Sequence, residues 1–425
     1  MLARRRPLRS ALLALALVGG TALTPARAPA QDEARQEGRT VAIAAELASQ
    51  GPVTKLTLTL SKAVEARAFV MERPDRAVID LPEVNFQVGA ESGRRRDGLV
   101  SSFRYGLFAP GRSRIVVDLA GPALVDRIET VTRRPDGAVL LTIAFRRTER
   151  DAFRKASVAS DPSPSAGKAL APAETGDTRP LIVVDAGHGG IDPGAIAAGG
   201  AQEKDIVFGF ARAFADQLRA SNRYRVQMTR DRDVFVALSE RARIAREAHA
   251  DLFVSIHADS ISSAPQVRGA TIYTGSEKAT DAASARLAER ENRADAAAGT
   301  DSAAGPGDVA DILQELTLRE TRGFSAGFAT RLMGQLSPVM EMSTKPHREA
   351  GFRVLRSPDV PSVLVELGYL SSKDDLEKLQ SEEWRARVTG SMAKAVDLFF
   401  AGRTTLSRPV PFAVGRAAAI APVSP

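Results

Sequence analysis

The sequence predicts two folds in one chain. A small all-β sandwich covers about residues 40–150, and an α/β domain, a mostly parallel sheet flanked by helices, covers 180–401. Three observations carry this. Between 40 and 150 apolar residues alternate with polar ones, and no helical period appears. Residues 151–179 are rich in Ala, Ser, Pro and Lys without periodicity, the composition of a spacer. From Leu181 onward, β-branched runs alternate with amphipathic helical runs, the pattern of βα units.

Ahead of both lies an address. Arg4, Arg5, Arg6 and Arg9 form a basic segment, 11–20 is a short apolar run, and Ala28-Pro-Ala30 is a small-residue cleavage signal. The apolar run is far too short to span a bilayer, so residues 1–30 read as a signal peptide with no stable membrane insertion. Pro7 after the arginines leaves general and twin-arginine export both open. The chain has 58 basic and 51 acidic residues, and five of the arginines lie in this segment. Without it 53 basic residues face the same 51 acidic ones, so the high pI gives no argument for nucleic-acid binding. Cysteine is absent, and any structural or catalytic metal must be held by His and carboxylate groups.

In the sandwich, Leu56, Leu58 and Leu60 alternate with threonines, as in a half-buried strand. Two stretches resemble each other, Arg76-Ala-Val-Ile-Asp-Leu-Pro82 and Arg114-Ile-Val-Val-Asp-Leu-Ala120, and 138–145 adds another strand. No catalytic cluster occurs here, and a binding or targeting module is the reading. In the α/β region strands are expected at 181–186, 224–229, 252–257, 269–274 and 362–366. Helices are expected at 238–248 and 382–400, with Val207, Phe210, Phe214 and Leu218 on one face of an earlier one. The alternation breaks between about 276 and 324, where a charged helical run at 282–298, a loop at Gly305-Pro-Gly307 and a helix from Val309 are expected. An interruption of that length inside a compact domain is usually functional or mobile. The tail, 402–425, is Pro- and Ala-rich and reads as disordered.

Chemistry collects at strand ends. Leu181-Ile-Val-Val-Asp-Ala-Gly-His-Gly-Gly190 delivers His188 into a glycine-rich turn, Leu252-Phe-Val-Ser-Ile-His257 delivers His257, and Val363-Leu-Val-Glu366 delivers Glu366. Open α/β sheets place their sites outside the carboxyl ends of their strands. With Glu203 from the loop after His188, the set is two histidines and two glutamates, the parts of a zinc hydrolase. A lone histidine at a strand end is more often structural. The joint pattern is harder to dismiss, because a carboxylate ending an apolar strand is costly to bury without a partner. His249 and His347, in helical and loop contexts, read as ordinary surface residues. Gly187, Gly189 and Gly190 either keep bulk away from the site or simply permit a tight turn; the two roles are compatible.

Four motifs in order, Asp185-Ala-Gly-His-Gly-Gly190, Glu203-Lys204-Asp205, Ser255-Ile-His-Ala-Asp259 and Val365-Glu-Leu-Gly-Tyr369, resemble the zinc-dependent N-acetylmuramoyl-L-alanine amidases of the Amidase_3 family. The resemblance covers about 181–400. The β-rich region resembles, more loosely, the AMIN domain. The resemblance implies that His188, Glu203 and His257 ligate one zinc and that Glu366 is the catalytic carboxylate. It further implies a periplasmic enzyme that cuts the bond between N-acetylmuramic acid and L-alanine in peptidoglycan during cell separation, enriched at the septum. Arg246 departs from the asparagine common there, with no consequence expected for catalysis. Septal enzymes of this architecture resemble one another in carrying a helical insertion that blocks the zinc until a LytM-domain activator moves it. Glu291, with Glu289 second, is the expected blocking residue, and Ile312, Leu313 and Leu316 the expected apolar docking surface. Two rivals stay open at this point: a non-catalytic wall-binding protein, and another zinc amidohydrolase such as a wall endopeptidase or deacetylase.

Overall fold

The computed structural model describes residues 40–134, 136–159, 177–261, 267–299 and 312–402. The expectations for 1–30, for the tail beyond Gly402, for most of the spacer and for Gly305-Pro-Gly307 fall outside them. The described residues belong to one compact unit that starts at Thr40.

Nine strands build the first domain: β1 (Thr40–Gln50), β2 (Val53–Leu60), β3 (Arg67–Met71), β4 (Arg76–Pro82), β5 (Val84–Phe86), β6 (Val100–Ala109), β7 (Arg112–Leu119), β8 (Ala123–Thr132) and β9 (Val139–Arg147). They form two sheets, β5-β1-β2-β9-β8 and β3-β4-β7-β6. Leu56, Leu58 and Leu60 are buried between them together with Ile79, Ile115, Val117 and Ile143. The two similar stretches are β4 and β7, paired antiparallel with Arg76 opposite Asp118, Val78 opposite Val116 and Asp80 opposite Arg114. The repeat is thus a two-fold ladder. Successive side chains of a strand point to opposite faces, so Ala77 and Ile79 enter the sandwich while Arg76, Val78 and Asp80 line its outer face. Residues 150–159, mostly assigned to the spacer from composition, are instead a helix, α1 (Arg150–Ala159), which inserts Phe153 into the sandwich core. One buried aromatic outweighed the polar composition around it.

The second domain runs β10 (Leu181–Ala186), α2 (Glu203–Ala220), β11 (Arg225–Met228), α3 (Leu238–Glu247), β12 (Leu252–His257), β13 (Ala270–Gly275), α4 (Ala282–Glu291), α5 (Ala294–Ala297), α6 (Ile312–Leu336), β14 (Met342–Ala350), β15 (Ser362–Glu366), α7 (Lys373–Gln380) and α8 (Glu382–Ala401). The sheet order is β11-β10-β12-β15-β13-β14, with only the β13–β15 pair antiparallel. The central strands are apolar throughout because helices cover both faces. Ile182, Val184, Val254, Ile256, Val363 and Val365 meet Phe210, Phe214, Phe328 and Trp384 on one side. Val183, Phe253 and Leu364 meet Leu238, Tyr273, Leu287 and Phe352 on the other. The parallel register sets His257 beside Glu366 at the carboxyl edge.

Several expectations are corrected. Glu203 is the first residue of α2 and not a loop residue. The run expected as one helix over 282–298 breaks at Asn292 into α4 and α5. β14 was not expected, and it carries His347, whose Nε2 lies 3.0 Å from Thr274 Oγ1. His249 is exposed at the end of α3 with φ +50. The helix expected from Val309 is described from Ile312, and the side chains of Ile312, Leu313 and Leu316 lie outside the described set.

Candidate metal centre

The backbone aims His188 before any side chain does. His188 sits at φ +56 just beyond β10, a left-handed conformation that costs a β-substituted residue free energy and needs outside support. Two buried arginines supply it. Arg241 donates to the carbonyls of Ala186 and His188 at 2.7 and 2.8 Å, and Arg230 to those of Ala186 and Gly187 at 3.1 and 3.0 Å. Arg241 is itself fixed by Asp185 at 2.8 Å, which also accepts from Thr229 and Ser255. Burial opposes ionisation of Asp185, yet the Arg241 charge and the two hydroxyls hold its carboxyl below the usual range.

The imidazole is oriented next. His188 Nδ1 lies 2.9 Å from Asp192 Oδ2, which leaves Nε2 directed at the centre. Gly187 is glycine for a packing reason, since a Cβ there would lie 2.5 Å from the His257 ring. Gly194, at φ +65, lets the loop pass Glu203 and His188, which a Cβ would overlap. Glu203 accepts from the amides of Ala195 and Ala258, each at 2.9 Å.

Four ligand atoms then converge. Glu203 Oε1 is 3.1 Å from His188 Nε2 and 3.2 Å from His257 Nδ1. Glu291 Oε2, from the end of α4, is 3.5 and 3.4 Å from the same two nitrogens. Both nitrogens are buried without a hydrogen-bond partner among the described residues, and so is Glu366 Oε1. Orphaned buried polar atoms are rare and need a reason. Two lone pairs and two carboxylate oxygens a little over 3 Å apart fit the shell of a small divalent cation with N and O ligands.

Charge in the centre is dominated by carboxylates. Burial opposes protonation of His188, but Glu203, Asp192 and Glu291 together hold its imidazole well above the ordinary histidine range. Burial, Asp259, Glu203 and Glu291 all push Glu366 well above the usual carboxylate range. Its Oε2 accepts from the amide of Asp259 at 3.1 Å. Asp259 is raised to about 7 by burial and by Glu203 and Glu291, opposed by its ion pair with Arg290 of α4. A cation would reverse this balance, since it favours each ionised carboxylate.

The structure therefore brings together His188, Glu203, His257, Glu366 and Glu291. Glu289 does not join them: two residues before Glu291 it points to the opposite side of α4, and it pairs with Arg293 in solvent. Asp192, Arg230 and Arg241 were missed. Arg241 had a signal in its position on the apolar face of α3 with Leu238 and Ala245, where an arginine needs a buried partner. Arg241→Met should destabilise the domain by roughly 3–5 kcal/mol, because it strands Asp185 as an uncompensated buried charge. Denaturant unfolding of the two proteins checks this. The depressed Asp185 pKa places that stabilisation above the unfolded-state value and removes it as pH falls through the folded one, so Asp185→Asn should flatten this part of the acid limb.

Residues 182–397 match the N-acetylmuramoyl-L-alanine amidase family. The chain belongs to that family. Residues 44–137 match the AMIN domain. The chain is 33% identical over 370 residues to the N-acetylmuramoyl-L-alanine amidase AmiC of Neisseria meningitidis serogroup B, covering 81% of this chain and 86% of that protein. It is 34% identical to AmiA of Escherichia coli K12 over 52% of this chain and 76% of that one. Among solved structures, AmiC2 of Nostoc punctiforme is 25% identical and spans 52% of this chain and 97% of that one, with a TM-score of 0.38. The protein is an N-acetylmuramoyl-L-alanine amidase of the AmiC type, an AMIN domain followed by an amidase domain. None of its described helices is long and apolar enough to cross a membrane.

Proposed function

We propose that this amidase holds one zinc ion with His188, Glu203 and His257 and cuts the amide between N-acetylmuramic acid and L-alanine in the periplasm, at the division septum. The convergence of Glu203 Oε1 with two otherwise partnerless imidazole nitrogens carries the reading. Zinc bound there supplies Lewis acidity toward a water and toward the scissile carbonyl. Glu366 does the proton work. Its Oε2 is anchored on the Asp259 amide, while Oε1 is free to take a proton from the attacking water and return it to the departing amine of L-alanine. Glu203, tied by two backbone amides, is held as a ligand and is poorly placed for proton transfer. Mass analysis of digested sacculi tests the bond. Intact stem peptides released from glycan support it; shortened cross-links or lost acetyl groups would assign the site to another hydrolysis.

In the same reading Glu291 is the inhibitory group. It is buried in the centre with Oε2 at 3.5 and 3.4 Å from His188 Nε2 and His257 Nδ1, and Arg290 beside it pairs with Asp259. The segment 282–299 is then a plug, to be withdrawn by a LytM-domain activator, the partner that the resemblance implies. The AMIN sandwich, with no histidine, serves to target the enzyme. A fluorescent fusion carrying residues 40–150 should concentrate at the septum; an even distribution in dividing cells would remove the targeting role.

A further inference from the structure

Five to eight residues beyond Glu291, at 296–299, the plug runs into the other domain. The outer face of the β3-β4-β7-β6 sheet, the face made by the two similar stretches, is covered at its centre. Val78 and Val116 at its centre are fully buried, packed with Ala298 of the plug and with Ile191 and Phe235 of the amidase domain. Gly299 lies so close that a Cβ there would be 2.8 Å from Val78 Cγ2.

The polar contacts are as specific as the apolar ones. Arg114, only 3% exposed, holds Asp80 with Nε and Nη2 at 2.6 and 2.9 Å. Its Nη1 is left for the plug and donates to the carbonyls of Ala298 and Gly299 at 3.2 and 3.0 Å. Arg76, the matching residue of the other stretch, bonds Asp118 with Nε at 2.9 Å and donates through Nη1 to the carbonyl of Ala296. Each arginine is thus fixed by the aspartate opposite it on the neighbouring strand and donates through Nη1 to plug backbone. Targeting alone requires no such arrangement, and both arginines of the ladder bond 296–299 in the state in which Glu291 occupies the centre.

We infer that the outer face of this AMIN sheet is a clasp that holds the inhibitory segment closed, a regulatory function of the sandwich besides targeting. The inference rests on the plug reading above. Withdrawal of Glu291 and release of 296–299 from the sheet are then one event, and any partner that competes for the Arg76–Val78–Asp80 and Arg114–Val116–Asp118 face activates the enzyme.

The test uses the full chain loaded with zinc. Arg114→Ala should raise activator-free release of stem peptides from sacculi about tenfold, the loss of a charge-assisted hydrogen-bond pair. It should also speed amide hydrogen exchange across 291–299. Arg146→Ala, whose exposed side chain pairs with Asp126 on the other sheet, should change neither. The chain has no cysteine, so a Val78→Cys and Gly299→Cys pair can be oxidised cleanly. In the Arg114→Ala background the disulfide should return both readouts to the intact level, and a phosphine reductant should release them. Failure of the two thiols to couple in the otherwise intact chain would contradict the clasp even if Arg114→Ala did not fold. So would a folded Arg114→Ala protein with unchanged exchange and rate beside an active Glu291→Gln protein. If Glu291→Gln itself gains nothing, the plug reading fails and the clasp falls with it.

Discussion

Glu366→Gln is expected to keep its zinc and lose hydrolysis by about 10²–10⁴-fold, the range for a positioned proton carrier. The amide is isosteric and fits the same buried strand end, where Glu366 is 0% exposed. It also removes a carboxylate that burial and three neighbouring acids already disfavour, so the folded protein should be no less stable. His188→Ala makes the contrast. It deletes a ligand and leaves Asp192 without its imidazole, so both metal and activity should go. Metal content and peptide release, measured on the same two preparations, decide the matter. A hydrolytically active Glu366→Gln protein would sink the proton-transfer role.

The second large effect has the opposite sign. Glu291→Gln should raise activator-free hydrolysis about tenfold or more, since a weakened contact of ~2 kcal/mol shifts a closed-to-open equilibrium by about thirtyfold. Deleting roughly 280–320 should do the same by removing the whole plug, but it is the rougher instrument. Leu287 and Ala288 of α4 are part of the apolar layer with Phe253, Tyr273 and Val354, so deletion uncovers that layer. It also removes the start of α6, whose later residues Phe328 and Leu332 sit in the main core. The point substitution keeps both. Rates on sacculi without any activator are the measurement. A folded, zinc-loaded Glu291→Gln protein no faster than the intact one would end the account of inhibition.

Much of this was legible in the sequence, for reasons that the structure makes physical. Residues 182–184 and 363–365 read as buried strands because helices cover both faces of the sheet, and their apolar runs end on His188 and Glu366 at one edge. The strand period likewise gave the sandwich. What stayed hidden acts through backbone or through partners far away in the chain. Arg241 reaches the carbonyl of His188, 53 residues back, and Arg230 that of Gly187, 43 residues back. The apolar helix face around Arg241 signals that it needs a buried partner, but no local pattern says which carbonyl that is. β14 was missed because Met342–Ala350 is a largely polar, half-exposed edge strand paired only with β13. The similarity between β4 and β7 was visible, yet its meaning was not: the alternation that identifies a strand does not say what covers its second face.

The central claim is that two imidazoles and Glu203 form one zinc site closed by Glu291. X-ray absorption at the zinc edge, on the intact chain and on Glu291→Gln, tests it most directly. The account predicts one zinc per chain with two imidazole nitrogens and carboxylate oxygens in the intact protein, and one fewer carboxylate contact in the variant. A zinc shell without two imidazoles, or one unchanged by Glu291→Gln, would contradict it.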